Sequence, residues 1–474
     1  MPTTLLWFRR DLRLADLPAL AAAHDAAGDG QILPVFVVDP VLWSGSGAVR
    51  THCLVEALEG VRRATDGALV IRTGPAATVI PQLAREVGAS SIHVSGETTP
   101  YGRRRDEAVR TALSGTPGPA GAGARDQVDL VATGTPYAVG PGRLHTQEGR
   151  PFRVFTPFSR AWREHGWPAP AEVPTGVRWL TGVAGEDLPA APEGAGAGSV
   201  PVTEAGARRR WSAFLAAGLD HYDSTRDRPD LDGTSLMSVH LKFGTIHPRT
   251  LLADIARHPG AGSAAAIRFV TELCWREFYA DVLWHNPGSA WADLRDGLAG
   301  LRYRDPATDS ACAADLEAWR QGRTGYPLVD AGMRQLRTEG WMHNRVRMVT
   351  ASFLTKDLHV WWPVGARHFL ALLRDGDVAS NNHGWQWTAG TGTDAAPYFR
   401  VFNPVTQGSR FDPQGDYVRR YIPELRHLPG SAAHEPWTHP EGYRHGYPPR
   451  IVDHAQERRD ALARYEQARA AGTA

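Results

Sequence analysis

The 474-residue sequence predicts an α/β domain with a five-stranded, parallel, doubly wound sheet, then a long linker, then an all-helical domain. Three observations predict this order. Short apolar runs alternate with helical patterns over residues 1–132, residues 133–202 are rich in glycine, proline and alanine, and residues 203–474 show only helical periodicity. We therefore expect two domains and an interdomain linker with those boundaries.

Five short apolar segments have the length and composition of buried strands. They are TLLWF at 4–8, ILPVFVV at 32–38, ALVIR at 68–72, SSIHVS at 90–95 and QVDLVA at 127–132. The helical patterns between them are LPALAAAHDAA, VRTHCLVEALEGVRRA, ATVIPQLAREVG and RRRDEAVRTAL. Because strands that alternate with helices through short connections form right-handed βαβ units, the sheet should be parallel.

Ligands of such sheets bind at the carboxyl ends of the strands. The residues that the sequence places there are Arg9, Arg10, Asp39 and Glu97. Neither a GxGxxG motif nor a P-loop follows the first strand, which disfavours an ordinary dinucleotide or nucleoside-triphosphate site.

The helical half shows apolar residues at spacings of three and four. The segments are TEAGARRRWSAFLAAGL, HPRTLLADIARH, SAAAIRFVTELCWREFYADVLW, YPLVDAGMRQLRTEG and VGARHFLALLRDG. Gly340, Gly376 and Gly384 are expected to separate helices.

Composition narrows the class of protein. The formal net charge of +1 leaves nucleic-acid binding open, and arginine supplies nearly all basic residues, which suits phosphate recognition. The three cysteines have no metal-like spacing, so we expect no metal site, no disulfide and a reducing compartment. The sequence shows no signal peptide and no apolar run of membrane-spanning length, so we expect a cytoplasmic protein. Most of the 16 tryptophans follow residue 270, which indicates an aromatic ligand for the helical half.

Two segments carry chemistry that is weak when each is taken alone. DGTSLMS places hydroxyls at 234, 235 and 238 before a helix, which suits either a phosphate cradle or a simple N-cap. ELCWREFY places Glu272 and Arg276, and likewise Trp275 and Tyr279, four residues apart on a helix. An ion pair and a core aromatic pair would also explain that spacing.

Two further segments are richer in functional side chains. In WMHNRVRM, Arg345 and Arg347 point in different directions on a helix, and an inward Arg347 would find a partner in Asp375 of DGDVASNNHGWQW. A buried pair of this kind is stable only with good geometry and further hydrogen bonds. The four segments together call for a large ligand with phosphates and a planar heterocycle, and for an aromatic surface that accepts bases.

Long stretches of the chain resemble the photolyase/cryptochrome family, and within it the class I cyclobutane pyrimidine dimer (CPD) photolyases. The stretches are WFRRDLRLAD, DGTSLMSVHLKFG, GRTGYPLVDAGMRQLRTEGWMHNRVRMVTASFLTKDL and DGDVASNNHGWQWTAGTGTDAAPYFRVFNP. The resemblance implies FAD in the helical domain and a second, antenna chromophore at the α/β domain. It also implies that blue light drives an electron from reduced FAD to a flipped-out dimer, whose ring splits before the electron returns. Flipping a damaged base out of a duplex costs a few kcal/mol, and aromatic stacking offsets part of that cost.

The resemblance also assigns residues to roles. Contact with the reacting dimer and flavin falls to Glu272, Trp275, Asn344, Met348, Asn381 and Trp387. FAD binding falls to Tyr222, Thr234, Ser235, Ser238, Arg276, Asn344, Arg347, Asp375, Asp377 and Asn381. DNA binding falls to Arg226, Trp275, Arg345, Trp387 and Arg400. Electron transfer to the flavin falls to Trp385, Trp362 and Tyr303.

Two of these assignments carry most weight. Asn381 matches the residue that faces flavin N5, where a neutral amide does not oppose the negative charge of the reduced ring; this favours repair over signalling. The electron relay departs from the family because no tryptophan matches its last member, and Tyr303 is the nearest candidate.

Alternatives remain at this stage. A cryptochrome-like blue-light photoreceptor, a (6-4) photolyase that uses His343 to move a proton, and a flavin-free nucleotide-binding module all compete with CPD repair. For the antenna, 8-hydroxy-deazaflavin is favoured and methenyltetrahydrofolate is the alternative. We expect a monomer without a membrane partner that binds UV-damaged single- or double-stranded DNA in the bacterial cytoplasm, at the nucleoid when bound to damage.

Overall fold

The computed structural model describes residues 2–114, 128–192, 200–295, 298, 300–393 and 400–472. Residue 127 of the fifth predicted strand and residues 193–199 of the predicted linker lie outside the described residues.

The sheet has the predicted class, with five parallel strands. Its strands are β1 (Thr3–Phe8), β2 (Gln31–Val38), β3 (Val70–Thr73), β4 (Ala89–Val94) and β5 (Asp129–Ala132). They pair in the order β3-β2-β1-β4-β5, and every pairing is parallel. In the central strand Leu5 lies opposite Leu33 on one side and Ile92 on the other. The strand order reverses at β1, so its carboxyl end is the topological switch point of the sheet.

The helices around the sheet follow the predicted patterns, with two additions. They are α1 (Pro18–Ala27), α2 (Pro40–Ser44), α3 (Ala48–Ala64), α4 (Ala76–Glu86), α5 (Pro100–Leu113) and α6 (Phe155–His165). The five-residue α2, which Asp39 caps, is too short to show periodicity. Helix α6 lies inside the predicted linker, where the sequence predicts no helix. Its buried residues Phe158 and Trp162 are four apart, a signal that the surrounding glycine and proline masked.

The second half of the described chain is helical. Its helices are α7 (Glu204–Ala217), α8 (Tyr222–Thr225), α9 (Met237–Phe243), α10 (Pro248–Arg257), α11 (Ala264–His285), α12 (Ser310–Gln321), α13 (Pro327–Glu339), α14 (Asn344–Ser352), α15 (Trp362–Leu372), α16 (Val378–Ala389), α17 (Pro404–Phe411), α18 (Asp416–Tyr421) and α19 (His454–Gly472). Gly340 ends α13 in a left-handed conformation, as predicted. The prediction for Gly384 was wrong, because this residue lies inside α16.

Contacts between Cα atoms divide the chain into two compact units that are not continuous in sequence. The first unit comprises Met1–Phe152, Pro157–Asp220 and Ser235–Pro287, and the second comprises Arg153–Thr156, His221–Thr234 and Gly288–Ala474. Helices α7 and α9–α11 therefore belong with the sheet, whereas the sequence assigned them to the helical domain. The division into three parts at residues 132 and 202 therefore stays a sequence prediction. The two compact units have different boundaries and are each made of separate chain segments.

Candidate functional site

Two arginines of α14 diverge as the sequence predicts. Arg345 Nη2 lies 2.9 Å from Asp227 Oδ1, and Arg347 Nη2 lies 2.8 Å from Asp375 Oδ2. Arg347 Nε also donates to the carbonyl of Met342, at 2.8 Å. The predicted ion pair between Arg347 and Asp375 is therefore present, and a further hydrogen bond fixes the guanidinium.

One oxygen of this pair has no hydrogen-bond partner. The Asp375 side chain is 2% exposed, and its Oδ1 is a buried atom without a partner among the described residues. A buried carboxylate oxygen without a donor is costly, so this atom indicates a missing N–H or O–H group. The imide N–H of an isoalloxazine ring is a donor of that kind, and the Arg347 guanidinium beside it suits an electron-rich ring. The residues here therefore fit a flavin.

The amide of Asn381 is oriented by the protein. Asp377 Oδ1 accepts a hydrogen bond from Ser380 N, at 3.0 Å, and so caps α16. One turn later Asn381 Nδ2 donates to the carbonyl of Ala366 at 3.2 Å and to Asn382 Oδ1 at 2.8 Å. Its N–H groups are thus used within the protein, and Oδ1 is the atom that can accept from a ligand N–H.

The other polar residues of NNHGWQW hold a loop that the sequence analysis did not connect to them. Ser289 Oγ lies 3.0 Å from His383 Nε2, and Gln386 Nε2 donates to the Ser289 carbonyl at 2.8 Å. Asn382 Nδ2 donates to the carbonyl of Ala290, and Gln386 Oε1 accepts from Leu294 N. These three side chains are buried and satisfied, so their polarity serves the attachment of residues 289–294.

The two tryptophans of α16 have different surroundings. Trp385 is buried and packs edge to face against Phe369, with ring centroids 4.9 Å apart. Trp387 is half-buried, and the guanidinium carbon of Arg400 lies 5.9 Å from its ring centroid. Trp387 and Arg400 thus combine a stacking surface with a cation that can meet phosphate.

The start of α14 presents Asn344 and Met348 on one face. Asn344 is exposed, and its Nδ2 lies 4.0 Å from Met348 Sδ. His343 precedes them but is buried, and its Nδ1 accepts from Arg345 N. Burial lowers the pKa of His343 to about 4, so near neutral pH its imidazole is neutral and is only a weak acid. This weakens the (6-4) alternative, in which His343 would have to move a proton.

The remaining predicted DNA-facing residues of this unit gather around Asp227. Its Oδ1 lies 3.7 Å from Arg226 Nε as well as 2.9 Å from Arg345 Nη2. The guanidinium carbon of Arg226 is 5.9 Å from the Tyr222 ring centroid. One carboxylate thus holds two arginines that the sequence assigned to DNA.

In the first unit, Arg276 of α11 is held by backbone carbonyls. It donates to Pro136 O at 3.0 Å and to Leu241 O at 3.2 Å, and it lies over the Tyr137 ring at 4.3 Å. Trp275 packs against Tyr279 with ring centroids 5.4 Å apart, as their spacing predicts. Glu272 lies on the same helix and is half-buried.

Glu277, which follows Arg276 on α11, is an anchor that was not predicted from the sequence. Its carboxylate accepts from the backbone N–H groups of residues 138, 139 and 140 and from Trp162 Nε1, at 2.6 to 3.2 Å. The carboxylate thus holds residues 138–140, and the carbonyl of Pro136 just before them accepts from Arg276. A charged residue in the apolar helix pattern was the available signal, but it could not reveal partners more than 100 residues away.

The hydroxyl segment before α9 is only partly a helix cap. Ser235 Oγ accepts from Met237 N at 3.2 Å, while Ser238 is exposed on the first turn of α9. Leu236 between them has φ of 58°, which is strained for leucine. Thr234 ends a segment of the second unit, half-buried.

Charges at the carboxyl ends of the strands pair with one another. Arg9 Nη1 lies 2.6 Å from Asp106 Oδ1, and Tyr101 donates to Asp39 at 2.6 Å. Burial would raise the pKa of Glu97, but neighbouring arginines, Arg10 foremost, lower it to about 2. The predicted crevice residues Arg9, Asp39 and Glu97 thus all have protein partners.

Among the described residues, no helix is both long enough and apolar enough to cross a membrane.

Comparison with known proteins covers the whole chain. A family model described as the FAD binding domain of DNA photolyase matches residues 269–467, and one described as DNA photolyase matches residues 4–175. A deoxyribodipyrimidine photo-lyase of Streptomyces griseus is 41% identical over 99% of both chains. A crystal structure of a class III photolyase from Agrobacterium tumefaciens has a TM-score of 0.86 and 33% identity, and covers 99% of this chain and 98% of its own. A crystal structure of a Synechocystis cryptochrome has the same TM-score and 26% identity, over 98% and 99% of the two chains. The chain belongs to the photolyase/cryptochrome family.

Proposed function

We propose that this chain is a carbon–carbon lyase that repairs cyclobutane pyrimidine dimers in DNA with blue light and FAD. The observation that carries the proposal is the buried Arg347–Asp375 pair with its unpartnered Oδ1, followed by the amide of Asn381 on α16. The 41% identity to a deoxyribodipyrimidine photo-lyase, over 99% of both chains, supports the same activity. The assignment to class I stays a prediction. The monomeric state and the location in the bacterial cytoplasm also stay predictions.

The residues proposed to hold FAD divide by chemistry. Reduced FAD, once bound and excited by light, supplies the electron that opens the dimer. Asp375 and Asn381 offer acceptors to ring N–H groups, and Arg347 sets the local charge. The remaining contacts are proposed for Tyr222, Thr234, Ser235, Ser238, Arg276, Asn344 and Asp377.

The lesion is proposed to leave the duplex and stack on tryptophan. Damaged bases stack poorly, so flipping costs them least. Trp387, with Arg400 beside it, provides an aromatic surface and a cation. Trp275, Glu272, Asn344 and Met348 are the other proposed lesion contacts, and Arg226 and Arg345 are proposed to meet backbone phosphates.

The proposal is tested by repair of UV-irradiated oligothymidine with protein whose FAD has been reduced chemically. We expect loss of dimers in blue light and none in darkness. Dimers that persist in light would contradict the proposal. A photoreceptor would leave them intact, and a (6-4) enzyme would act only on a (6-4) substrate.

The variant Asn381→Asp is expected to lower the repair rate roughly tenfold, or about 1.4 kcal/mol. The reason is that a carboxylate would oppose the negative charge of the reduced ring. The control is Asn403→Asp, because Asn403 caps α17 and aspartate caps equally well. Equal repair by wild type and Asn381→Asp would contradict the role given to the amide.

The variant Trp387→Ala is expected to weaken binding of dimer-containing DNA about 5- to 150-fold, from a stacking contribution of roughly 1–3 kcal/mol per base. The measurement is a titration with single-stranded DNA that carries one dimer. Trp291→Ala is the matched control, because Trp291 is also partly exposed and lies under an arginine, Arg367, at 4.8 Å. Equal losses for both variants would show that Trp387 has no special part in binding.

The antenna is proposed to bind at the carboxyl ends of the strands, with 8-hydroxy-deazaflavin favoured and methenyltetrahydrofolate the alternative. The switch point at β1 supports this place by topology. Because Arg9, Asp39 and Glu97 already have protein partners, we assign none of them to the antenna.

A further inference from the structure

Two adjacent tryptophans at the start of α15 join the interior to the surface. Trp362 is the first residue of the helix and is 0% exposed, whereas Trp361 before it has an extended backbone and is 37% exposed. Their ring centroids are 6.4 Å apart. The pair thus offers a short path for an electron between water and the core.

The same helix contacts Trp385. A Cβ built at Gly365 would lie 2.2 Å from Cη2 of Trp385, so the indole rests directly on the backbone of α15. Trp362 is three residues before Gly365, and residues at that spacing share one face of a helix. Trp362 and Trp385 are therefore about one helical turn apart along α15.

A carboxylate favours loss of an electron from Trp362. Trp362 Nε1 donates to Asp293 Oδ1 at 2.6 Å. The negative charge stabilises a positive indole, and it does so strongly because the ring is out of contact with water. This makes Trp362 a good middle member of a relay.

Tyr303, which the sequence nominated as the last member, lacks what a tyrosine needs for that role. Its hydroxyl is buried and has no hydrogen-bond partner among the described residues. Burial and, after it, the charge of Asp293 raise the pKa of Tyr303. A phenol gives up an electron readily only when its proton can leave to an acceptor, and the nearby carboxylate bonds to Trp362 instead.

Trp319 is also close to Trp385 but does not lead outward. The ring centroids are 6.1 Å apart, yet Trp319 is 0% exposed and its Nε1 donates to the carbonyl of Thr350. An electron vacancy on Trp319 could neither lose a proton to water nor meet a reductant.

We propose that Trp361 is the solvent-exposed end of the relay that reduces oxidised FAD in this chain, in the order Trp361, Trp362, Trp385. This rests on the proposed function, which gives the chain its FAD. After light absorption Trp385 gives one electron to the flavin. Trp362 then gives an electron to Trp385, and Trp361 gives one to Trp362. Trp361 releases its indole proton to water and then takes an electron and a proton from a thiol. Two thiols oxidised in this way form a disulfide.

The test is anaerobic photoreduction of the flavin-loaded protein with dithiothreitol, followed by the loss of oxidised-flavin absorbance. We expect Trp361→Phe to slow it at least tenfold, and Tyr303→Phe and the exposed control Trp291→Phe to change it less than twofold. A second readout needs no repair: in air and without thiol, illumination should place oxygen adducts on Trp361, which mass spectrometry of the digested protein detects.

Wild-type photoreduction in Trp361→Phe would overturn the proposal, as would a loss in Tyr303→Phe alone. Repair by chemically reduced protein separates this from the proposed function, because that reaction does not use the relay. Failure of reduced wild-type protein to repair dimers would refute the proposed function and leave the relay standing. Normal repair with normal photoreduction in Trp361→Phe would refute only the relay.

Discussion

Asp375→Asn is expected to lower the free energy of unfolding by about 3 kcal/mol and to reduce the flavin that copurifies to under a tenth of the wild-type amount. The substitution keeps the shape of the side chain but leaves the Arg347 charge without its partner. Removal of one member of a buried pair costs about 3–5 kcal/mol, and the lower figure applies here because Arg347 is 24% exposed. Thermal unfolding and the flavin-to-protein absorbance ratio measure the two effects.

The pair is isolated by a cycle of Asp375→Asn, Arg347→Met and the double variant. The double variant lacks both charges, so it leaves no buried charge without a partner. It should therefore unfold at a higher temperature than the single variant Asp375→Asn. The exposed pair of Arg444 and Glu441 supplies the control, since Glu441→Gln should change stability by less than about 1 kcal/mol. Full flavin content in Asp375→Asn would contradict the expected loss and show that flavin binding does not need the charge of this carboxylate.

Glu277→Ala is expected to be the most destabilising single change considered, by at least about 4 kcal/mol. It leaves three backbone N–H groups and the Trp162 indole N–H without their acceptor, and each unsatisfied buried donor costs about 1–3 kcal/mol. The stability of Glu277→Gln should lie between those of the wild type and Glu277→Ala, because the amide oxygen replaces part of the acceptor capacity. Chemical unfolding followed by indole fluorescence measures the loss.

The control for this change is Glu164→Ala on α6, where the glutamate is exposed. It should leave stability within about 0.5 kcal/mol of the wild type. A wild-type unfolding midpoint in Glu277→Ala would mean that the carboxylate does not hold residues 138–140.

The parts of the fold that the sequence predicts are those whose signal is local. Strands β1 and β2 are continuous apolar runs because both faces of a parallel sheet are covered, and α11 and α13 carry apolar residues at helical spacing. Helix α6 was lost because only two buried aromatic residues mark it within a segment of linker composition. Gly384 misled because a glycine inside a helix looks the same in sequence as one that ends it.

The site divides in the same way. Arg347 and Asp375 could be paired from sequence because Arg345 and Arg347 point in different directions on a helix, which lets one of them turn inward to a carboxylate. The roles of Asn382, His383 and Gln386 could not, because their partners in residues 289–294 are about 90 residues away and include backbone carbonyls. The exposure of Trp361 was equally hidden, since neighbouring tryptophans in a sequence carry no sign of which one faces water.

The discontinuous course of the chain through its two units has a consequence for biosynthesis. The sheet is complete once residue 132 has been made, but its unit ends at Pro287. At about 5–20 residues per second, the 155 residues between them take roughly 8–30 s to translate. During that interval two buried residues that follow β1 lack their later partners, because Asp16 pairs with Arg249 and Arg13 donates to the Gly244 carbonyl. We therefore expect the growing chain to be most prone to misfolding in this window.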